Sequence, residues 1–343
     1  MYTNVIIGLQ HGDEGKGKII NWLLQDTINQ PNLCNYDYCV RFNGGPNAGH
    51  TIYNNKNQKM VLHQIPIGIL YGIPSIIGSA CVINPVKLQK EIQALKEMGI
   101  QNIENNLFIS YNAQCIFYRH IEDDKYTDKV GSTLSGIRPA YRDKYNRCGS
   151  RIDQVYNHLY GCKIVDPTDL FQRKENCKVL CEGAQGFELD IDWGDYPFCT
   201  SSNCLAGFCT TSGIPPQSID RVYGVAKIYE TYVGKKPFQP AEDVFTRLQT
   251  IGNEFGSTTG RIRQCNWLNL KRLKRAIYVN GVTHIIINKC DILRELGIYR
   301  LYDRNEQLQH FSTFEEMKHA IELELKDIGY VRSIVFSGSP KTV

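Results

Sequence analysis

Short apolar runs alternate with helical patterns along this chain, and the alternation limits the folds that it can adopt. Buried strands are predicted by seven runs rich in β-branched residues: NVIIGL, YCVRF, SIIGSACVI, KVLCEG, RVYGVAKI, THIIINK and RSIVFSG. Helices are predicted between several of them, for example over 84–99, where Asn84 can cap and Pro85 can occupy the first turn, and over 268–281, which Gly281 closes. This order predicts an α/β fold with a mostly parallel central sheet, flanked by helices and long functional loops.

The chain shows no point at which it divides into domains. Its 343 residues contain no internal repeat, low-complexity tract or Pro/Ser-rich linker. Residues 120–215 are irregular and rich in Gly, Ser, Thr and Tyr, and long loops of this kind on an α/β frame are usually functional. We therefore predict a single domain over residues 1–343.

Composition excludes several classes of protein. The net charge is +4 and the basic residues are dispersed, which argues against binding to nucleic acid. No apolar run of membrane-spanning length and no signal peptide are found, so no membrane association is predicted. The cysteine count of 13 is odd and includes no C-x-x-C pair, which favours reduced cysteines in a cytoplasmic protein.

The stretch VIIGLQHGDEGKGKIINWLL, residues 5–24, places a glycine-rich loop between a strand and a helix. This loop has the features of a phosphate-binding site: glycines that allow close approach of the backbone, the N-terminus of the following helix, and the positive charges of Lys16 and Lys18. The loop departs from the Walker pattern because Gly17 follows Lys16 where Ser or Thr would bind magnesium. Asp13 therefore needs a separate role, since a carboxylate beside phosphates is repelled unless it binds the metal or takes a proton. A plain glycine-rich turn is the alternative.

Three further clusters follow predicted strands or loops. RFNGGPNAGHT places His50 after a glycine-rich turn; STLSGIRPAYRDKYNRCGSR combines hydroxyls with arginines; EGAQGFELDIDWGDYPFCTSSN surrounds an aromatic turn with polar residues. Taken singly, each has an ordinary explanation: a structural histidine, a solvated basic loop and a surface loop.

Two clusters near the end of the chain are more specific. GNEFGSTTGRIR, residues 252–263, carries two arginines suited to a carboxylate or phosphate. IIINKCD ends an apolar strand with N-K-x-D, the arrangement with which GTP-binding proteins read guanine. In that arrangement the carboxylate accepts from the ring N1–H and the 2-amino group, and the lysine stem packs on the base. The tetrapeptide also recurs by chance.

Together, five segments resemble the signature segments of the adenylosuccinate synthetase family, in the family's order and across nearly the whole chain: QHGDEGKGK, GGPNAGHT, EGAQG, YPFCTSSN and GSTTGR. The resemblance implies a P-loop-related fold and a ligase that joins L-aspartate to C6 of a 6-oxopurine nucleotide. The reaction it implies is IMP + L-aspartate + GTP → adenylosuccinate + GDP + phosphate, through a 6-phosphoryl intermediate. It also implies Mg²⁺ and GTP as cofactor and co-substrate.

The resemblance assigns roles residue by residue. Asp13 is expected to remove the N1 proton and, with the backbone oxygen of Gly49, to bind Mg²⁺, while His50 stabilises charge on the 6-oxygen and the phosphoryl group. The catalytic residues implied are Asp13, Lys16, His50 and Gln185. Arg147 is expected to reach the purine monophosphate of a neighbouring subunit, which implies a homodimer.

The binding residues implied by the resemblance fall into three sets. The nucleoside triphosphate set is Gly12, Glu14, Gly15, Lys16, Gly17, Lys18, Thr51, Arg263, Lys289, Asp291, Ser337 and Gly338. The purine monophosphate set is Asp13, Asn47, Ala48, Gly49, His50, Thr133, Arg147, Gln185, Thr200 and Arg261. The aspartate set is Val233, Ser257, Thr258, Thr259, Arg261 and Arg263.

Some positions depart from the family pattern. Typical bacterial members are longer, so this chain resembles the compact archaeal and viral forms. Pro46 stands where a His is common, Leu134 and Ser135 replace a Gly-Arg pair, and Tyr232 replaces an Arg before Val-Gly. These departures concern the selectivity for base and ribose more than the type of reaction.

Two alternative functions remain open. A viral relative joins aspartate to (d)GMP on the way to diaminopurine DNA, with ATP, dATP or GTP as donor, and would act in the host cytoplasm. In such relatives the loop carboxylate and the guanine-reading pair are lost, whereas this chain keeps Asp13, Lys289 and Asp291. The second alternative is a non-catalytic GTP-binding regulator, which would not need the catalytic residues and the aspartate loop together.

Overall fold

A computed structural model describes residues 1–29, 36–53, 58–256, 260–339 and 343. The strands of these residues are, in chain order, β1 (Tyr2–Gly8), β2 (Tyr38–Arg41), β3 (His50–Tyr53), β4 (Lys59–Leu62), β5 (Ser75–Ile77), β6 (Val82–Ile83), β7 (Leu107–Ser110), β8 (Gln114–Cys115), β9 (His158–Leu159), β10 (Cys162–Val165), β11 (Lys178–Glu182), β12 (Ile219–Lys227), β13 (Tyr229–Tyr232), β14 (Gln264–Asn269), β15 (His284–Asn288), β16 (Tyr299–Tyr302), β17 (Leu308–Phe311) and β18 (Ser333–Phe336).

The α-helices of the same residues are α1 (Lys16–Asn29), α2 (Pro85–Glu97), α3 (Ile103–Asn106), α4 (Tyr118–Thr127), α5 (Ile137–Tyr145), α6 (Ile152–Val155), α7 (Pro167–Phe171), α8 (Val244–Ile251), α9 (Leu270–Asn280), α10 (Cys290–Leu296) and α11 (Phe314–Lys326). None of the described helices combines the length and the apolarity needed to cross a bilayer.

A large, mostly parallel sheet forms the centre of the protein, as the sequence predicts. Within the described residues its order is β18-β15-β12-β1-β11-β2-β5-β7-β10-β9, and the neighbouring strands are parallel except for β9 and β10. β1 lies between β11 and β12, and Val5 pairs with Cys181 on one side and Val222 on the other. A smaller sheet has the order β13-β14-β16-β17.

Both faces of the central sheet are covered. Val5 and Ile7 of β1 belong to one buried cluster, whereas Ile6 between them belongs to the other, as the period of two in a strand requires. α1 packs on the face of Ile6, and α9 and α11 pack on the opposite face. The continuous apolar runs in the sequence are thus explained by strands that are buried on both sides.

Two predicted helices have the predicted ends. The side chain of Asn84 accepts a 3.0 Å hydrogen bond from the backbone N–H of Lys87 and caps α2, whose first residue is Pro85. Gly281 follows α9 with a φ of 59°, the left-handed conformation that glycine favours at a helix end.

One predicted strand is wrong in extent. The run SIIGSACVI is divided into β5 and β6, which belong to different sheets. The backbone N–H of Gly78 donates to the carbonyl of Arg41 at 2.8 Å, and that of Cys81 donates to Gly78 at 3.1 Å, so a turn separates the strands. The apolar character continues through this turn because Ala80 and Cys81 are themselves buried.

Candidate active site

The polar segments that stand out in the sequence follow neighbouring strands at one edge of the central sheet. β18, β15, β12, β1, β11 and β2 are adjacent in that order and parallel, so their carboxyl ends meet at the same edge. In open α/β sheets ligands bind at this edge. Segments that are distant in sequence are therefore brought together by the topology.

The loop after β1 is organised around a buried glutamate. Glu14 is 1% exposed, and its Oε1 accepts from the backbone N–H groups of Gly12 at 2.8 Å and Gln10 at 3.2 Å. Its Oε2 lies 2.6 Å from Nζ of Lys16, which also donates to the carbonyl of Gln185. The carboxylate thus stabilises the loop from within, and α1 begins directly after it.

A cavity of roughly 710 Å³ opens at this edge. Twelve of the residues that the sequence assigns to catalysis or binding line it: Gly12, Asp13, Lys16, Asn47, Ala48, Gly49, His50, Thr133, Gln185, Thr200, Val233 and Arg261. The cavity has the size of a small-molecule site.

Six polar atoms, from five residues that line this cavity, are buried and have no hydrogen-bond partner among the described residues. They are Oδ1 of Asn47, Nε2 of His50, Oε1 of Gln185, Oδ1 of Asp124 and both ring nitrogens of His11. Buried polar atoms are normally hydrogen-bonded, so convergent exceptions in one cavity indicate a polar ligand. Among them, the amide oxygens of Asn47 and Gln185 and the imidazole nitrogen of His50 are suited to a heterocycle that carries both N–H and carbonyl groups.

Asp13 lies in an ion pair at the mouth of the loop. Its backbone has a φ of 60°, and its Oδ2 accepts from Nε of Arg263 at 2.7 Å. The other side of the same guanidinium donates from Nη1 to Glu254 at 2.7 Å. Arg263 therefore connects an accessible carboxylate, whose side chain is 37% exposed, with one that is fully buried.

Glu254 is the centre of a buried charge network. Its carboxylate accepts from Nζ of Lys227 at 3.0 Å and from the hydroxyl of Tyr229 at 2.6 Å, and Nζ of Lys289 lies 3.6 Å away. Burial raises the pKa of Glu254, but the charges of Lys227, Lys289 and Arg263 lower it by more, to about 2. Glu254 is thus ionised and links the segment NKCD with the segment that ends in Arg263.

His50 begins β3 and is 4% exposed. Its Nδ1 lies 3.0 Å from Nη2 of Arg41, the last residue of β2. Burial and the neighbouring charges of Arg41 and Lys16 hold the pKa of His50 well below its ordinary value, so the imidazole is neutral near pH 7.

The residues assigned to guanine binding lie together, directly after the neighbouring strands β15 and β18. Lys289 follows β15 with a φ of 67°, and Asp291 lies in the first turn of α10. The backbone N–H of Cys290 donates to Ser337 at 3.1 Å, and Gly338 lies against Asp291 so closely that an added Cβ would be 3.2 Å from its nitrogen. Lys18 donates to the hydroxyl of Ser337 at 2.7 Å. Burial lowers the pKa of Lys18 to about 8.

Several assigned residues lie elsewhere. Arg147 is exposed on the turn after α5, has a φ of 60° and does not line the cavity. Thr51 follows His50 on β3, and the helix start at Gly17 packs against both residues. Ser257, Thr258 and Thr259 lie outside the described residues.

Four charged residues that are buried at the site are not among those predicted from the sequence to be functional: Arg41, Glu182, Lys227 and Glu254. The first three stand inside or at the end of the predicted strands YCVRF, KVLCEG and RVYGVAKI. A charge within an apolar strand must be paired when it is buried, so its position in the sequence is a usable signal. The sequence does not indicate which residue pairs with this charge, because the partner comes from a different segment.

Comparisons with known proteins agree on one family. The family model described as adenylosuccinate synthetase matches residues 5–165 and 164–329. A protein named adenylosuccinate synthetase from Cytophaga hutchinsonii is 40% identical over 85% of this chain and 78% of its own length. Its namesake from Flavobacterium johnsoniae is 39% identical over 91% of this chain and 84% of its own.

Two solved structures share the fold. The fully ligated adenylosuccinate synthetase from Plasmodium falciparum superposes with a TM-score of 0.84 at 28% identity, covering 98% of this chain and 97% of the other. The succinoaminodeoxyadenylate synthetase of cyanophage S-2L, bound to dGMP and dATP, has a TM-score of 0.77 at 22% identity and covers 99% and 93%. The second similarity extends to the fold alone.

Proposed function

This chain belongs to the adenylosuccinate synthetase family of C–N bond-forming ligases, and from that premise we propose that it converts IMP, L-aspartate and GTP to adenylosuccinate, GDP and phosphate. The observation that carries the proposal is the set of unpartnered buried atoms of Asn47, His50 and Gln185 in one cavity. A 6-oxopurine offers the N–H and carbonyl groups that such a set requires.

The proposed first step activates the 6-oxygen. Asp13 takes the N1 proton, and electron density moves through the ring to the 6-oxygen, which attacks the γ-phosphorus as GDP leaves. The neutral His50 donates from Nε2 to the oxygen that gains charge, in a buried position where a hydrogen bond is electrostatically strong. Lys16, which Glu14 and Gln185 hold at the loop, adds positive charge beside the transferring group.

The proposed second step forms the C–N bond. The neutral amino group of aspartate attacks C6 and gives up one proton to the departing phosphate, which leaves with the former 6-oxygen as the C–O bond breaks. Aspartate carries two carboxylates, and the guanidinium of Arg261 is suited to bind one of them in the bidentate manner. Nε and Nη1 of Arg263 are bonded to Asp13 and Glu254, so this arginine would contribute through Nη2. Nη1 of Arg261 donates to the carbonyl of Gly131 at 2.9 Å, which holds this arginine across the cavity. Ser257, Thr258 and Thr259 complete the proposed aspartate site.

The donor set at Asp13 fits a magnesium ion. The carboxylate of Asp13 is partly exposed, Gly49 lines the same cavity, and no cluster of three His, Cys, Asp or Glu is found among the described residues. Mg²⁺ is usually bound by one or two carboxylates together with substrate phosphates and water, so a fuller set of protein ligands is not needed. When bound by Asp13 and the Gly49 carbonyl, the ion would neutralise charge on the phosphates.

Guanine recognition is proposed for Lys289 and Asp291. The carboxylate of Asp291 accepts from N1–H and the 2-amino group, and the stem of Lys289 packs on the ring. Lys289 also donates to the carbonyl of Gly252 at 2.6 Å, which holds its stem in place. We propose in addition a homodimer in which Arg147 reaches the monophosphate at the neighbouring site, since this arginine is exposed and away from its own cavity.

A substrate panel tests the proposal. The purified protein is supplied with IMP, dIMP, GMP or dGMP, each with GTP, ATP or dATP, and phosphate release is measured with and without aspartate. The highest kcat/KM is expected for IMP with GTP, and release should require aspartate. A preference for dGMP would assign the chain to the diaminopurine reaction, and nucleotide binding without aspartate-dependent release would indicate a regulator.

A further inference from the structure

A buried chain of three side chains ends at His50. Glu182 closes β11 and Arg41 closes β2, and the two residues pair in register across these parallel strands. Arg41 donates to Oε1 of Glu182 from Nε at 2.8 Å and from Nη2 at 2.5 Å. The same Nη2 lies 3.0 Å from Nδ1 of His50. All three residues are at most 4% exposed, so water does not compete for these bonds.

This contact determines which ring nitrogen of His50 carries the proton. A guanidinium has only N–H donors, so Nδ1 of His50 accepts with its lone pair in this contact. Two acceptors also face the ring, the backbone of Gly183 and Oε1 of Glu182, but the 3.8 Å from Glu182 to Nδ1 is longer than the 3.0 Å from Arg41. A neutral imidazole has one N–H, which is then on Nε2. Nε2 has no partner among the described residues, and His50 lines the cavity. The free donor is therefore available to a ligand.

We infer that Arg41 and Glu182 are positioning residues, which hold His50 in the tautomer that can donate from Nε2 to the reacting oxygen. The inference rests on the proposed function for its catalytic meaning. The opposite tautomer would present a lone pair to an oxygen that gains negative charge, and would repel it. A fixed donor costs no reorganisation when the charge develops.

The position of Arg41 is determined from several sides. Its Nη1 donates to the carbonyl of His63 at 3.1 Å, in addition to the bonds with Glu182 and His50. The second oxygen of Glu182 accepts from the backbone N–H of Ile67 at 3.1 Å. Glu182 also balances the buried charge of the guanidinium, which would be costly alone. The two residues thus hold a donor at Nδ1 without a net charge beside it.

The test uses the double variant Arg41→Met/Glu182→Gln. Removing both charges avoids the unpaired buried ion that either truncation alone would leave, and an amide oxygen at position 182 can still accept from Ile67. The first readout is the ¹⁵N spectrum of histidine-labelled protein, with the His50 signals assigned from a His50→Gln variant. In the unmodified protein, Nδ1 should show the shift of a lone-pair nitrogen and Nε2 that of an N–H. In the double variant the signals should move toward a mixture of tautomers.

The second readout is turnover. The double variant should lose roughly 10²-fold in kcat, which lies within the range for loss of one fixed donor, with KM for IMP little changed. Arg41→Lys serves as the conservative control, because an ammonium can only donate and keeps the tautomer while it loses the fork to Glu182. It should retain more kcat than the double variant.

Two results would overturn the inference. One is an N–H at Nδ1 of His50 in the unmodified protein, which needs neither a folded variant nor turnover. The other is a double variant with unchanged kcat. If no purine is used by the unmodified protein, the proposed function fails, and the tautomer still reports on the positioning of His50 by itself.

Discussion

Nε of Arg263 donates a 2.7 Å hydrogen bond to a carboxylate oxygen of Asp13, so the proposed catalytic base lies in an ion pair with a residue of the proposed aspartate site. The pair joins the loop after β1 to a segment 250 residues later in the chain. Because Arg263 is also held by Glu254, the orientation of Asp13 depends on a residue that does not line the cavity.

The first prediction concerns Asp13. An Asp13→Asn variant keeps the size of the side chain and a hydrogen-bond acceptor for Arg263, but it cannot take the N1 proton. Its kcat should fall by about 10²–10⁴-fold, while binding of IMP, measured by calorimetry, should largely survive. Asp220→Asn, which changes a half-exposed carboxylate at the far end of β12, serves as the control and should be fully active. Near-normal turnover of Asp13→Asn would exclude the role of general base.

The second prediction concerns the buried network. The pKa of Glu254 is lowered to about 2 from an ordinary value of 4.5, so its contribution to stability is complete above pH 4.5 and is lost as the pH falls toward 2. The difference corresponds to about 3 kcal/mol at neutral pH. Glu254→Gln should therefore lower the free energy of unfolding by roughly that amount at pH 7, with the gap between the two proteins narrowing below pH 4.5.

Urea unfolding at pH 7, 5, 4 and 3 measures this difference. The matched control is Glu242→Gln, since Glu242 is 40% exposed and pairs with Arg300 at 3.0 Å. A surface pair of this kind contributes up to about 1 kcal/mol. Equal effects of the two substitutions at every pH would contradict the buried network as a source of stability.

The sequence predicts most of this site for an identifiable reason. Asp13, His50 and Gln185 stand in glycine-rich segments that directly follow apolar strands, and parallel strands bring such segments to one edge. The inward position of Glu14 could not be predicted, because a carboxylate in a glycine-rich loop looks the same whether it faces a ligand or the backbone of its own loop.

The pairing of buried charges was equally inaccessible. Arg41 and Glu182 are 141 residues apart, and their contact depends on the register between β2 and β11. The predicted strand SIIGSACVI is too long because a buried turn, here the one between β5 and β6, can be as apolar as a strand. Local pattern thus gives the elements and the candidate side chains, whereas the partners of buried charges depend on topology.

The third prediction concerns the proposed dimer. If Arg147 reaches the neighbouring site, Arg147→Leu and Asp13→Asn chains should each be inactive but should recover activity when mixed. In a hybrid dimer, the Arg147→Leu chain keeps its own Asp13 and receives Arg147 from its partner, so one of the two sites is intact. Steady-state turnover after subunit exchange measures this recovery.

The control mixture is Asp13→Asn with His50→Gln. Both substitutions affect residues that a chain supplies to its own cavity, so each site of that hybrid contains one defect and no recovery is expected. Failure of the Arg147→Leu mixture to recover, in dimers verified as hybrid, would remove Arg147 from the neighbouring site.

The last prediction concerns the choice of phosphoryl donor. Adenine has an unprotonated N1 and no 2-amino group, so Asp291 would lose both hydrogen bonds and remain a partly buried, unpaired charge. A mismatch of this kind costs on the order of several kcal/mol, enough for at least 10²-fold preference for GTP over ATP in kcat/KM. Asp291→Asn should weaken the use of GTP and improve that of xanthosine triphosphate, whose 2-oxygen accepts from the new amide. Glu295→Gln, on the following turn of α10, is the control for helix charge and should leave the preference unchanged. Equal kcat/KM for ATP and GTP in the unmodified protein would overturn the assignment of Lys289 and Asp291 to guanine, and would favour the dGMP-type reaction.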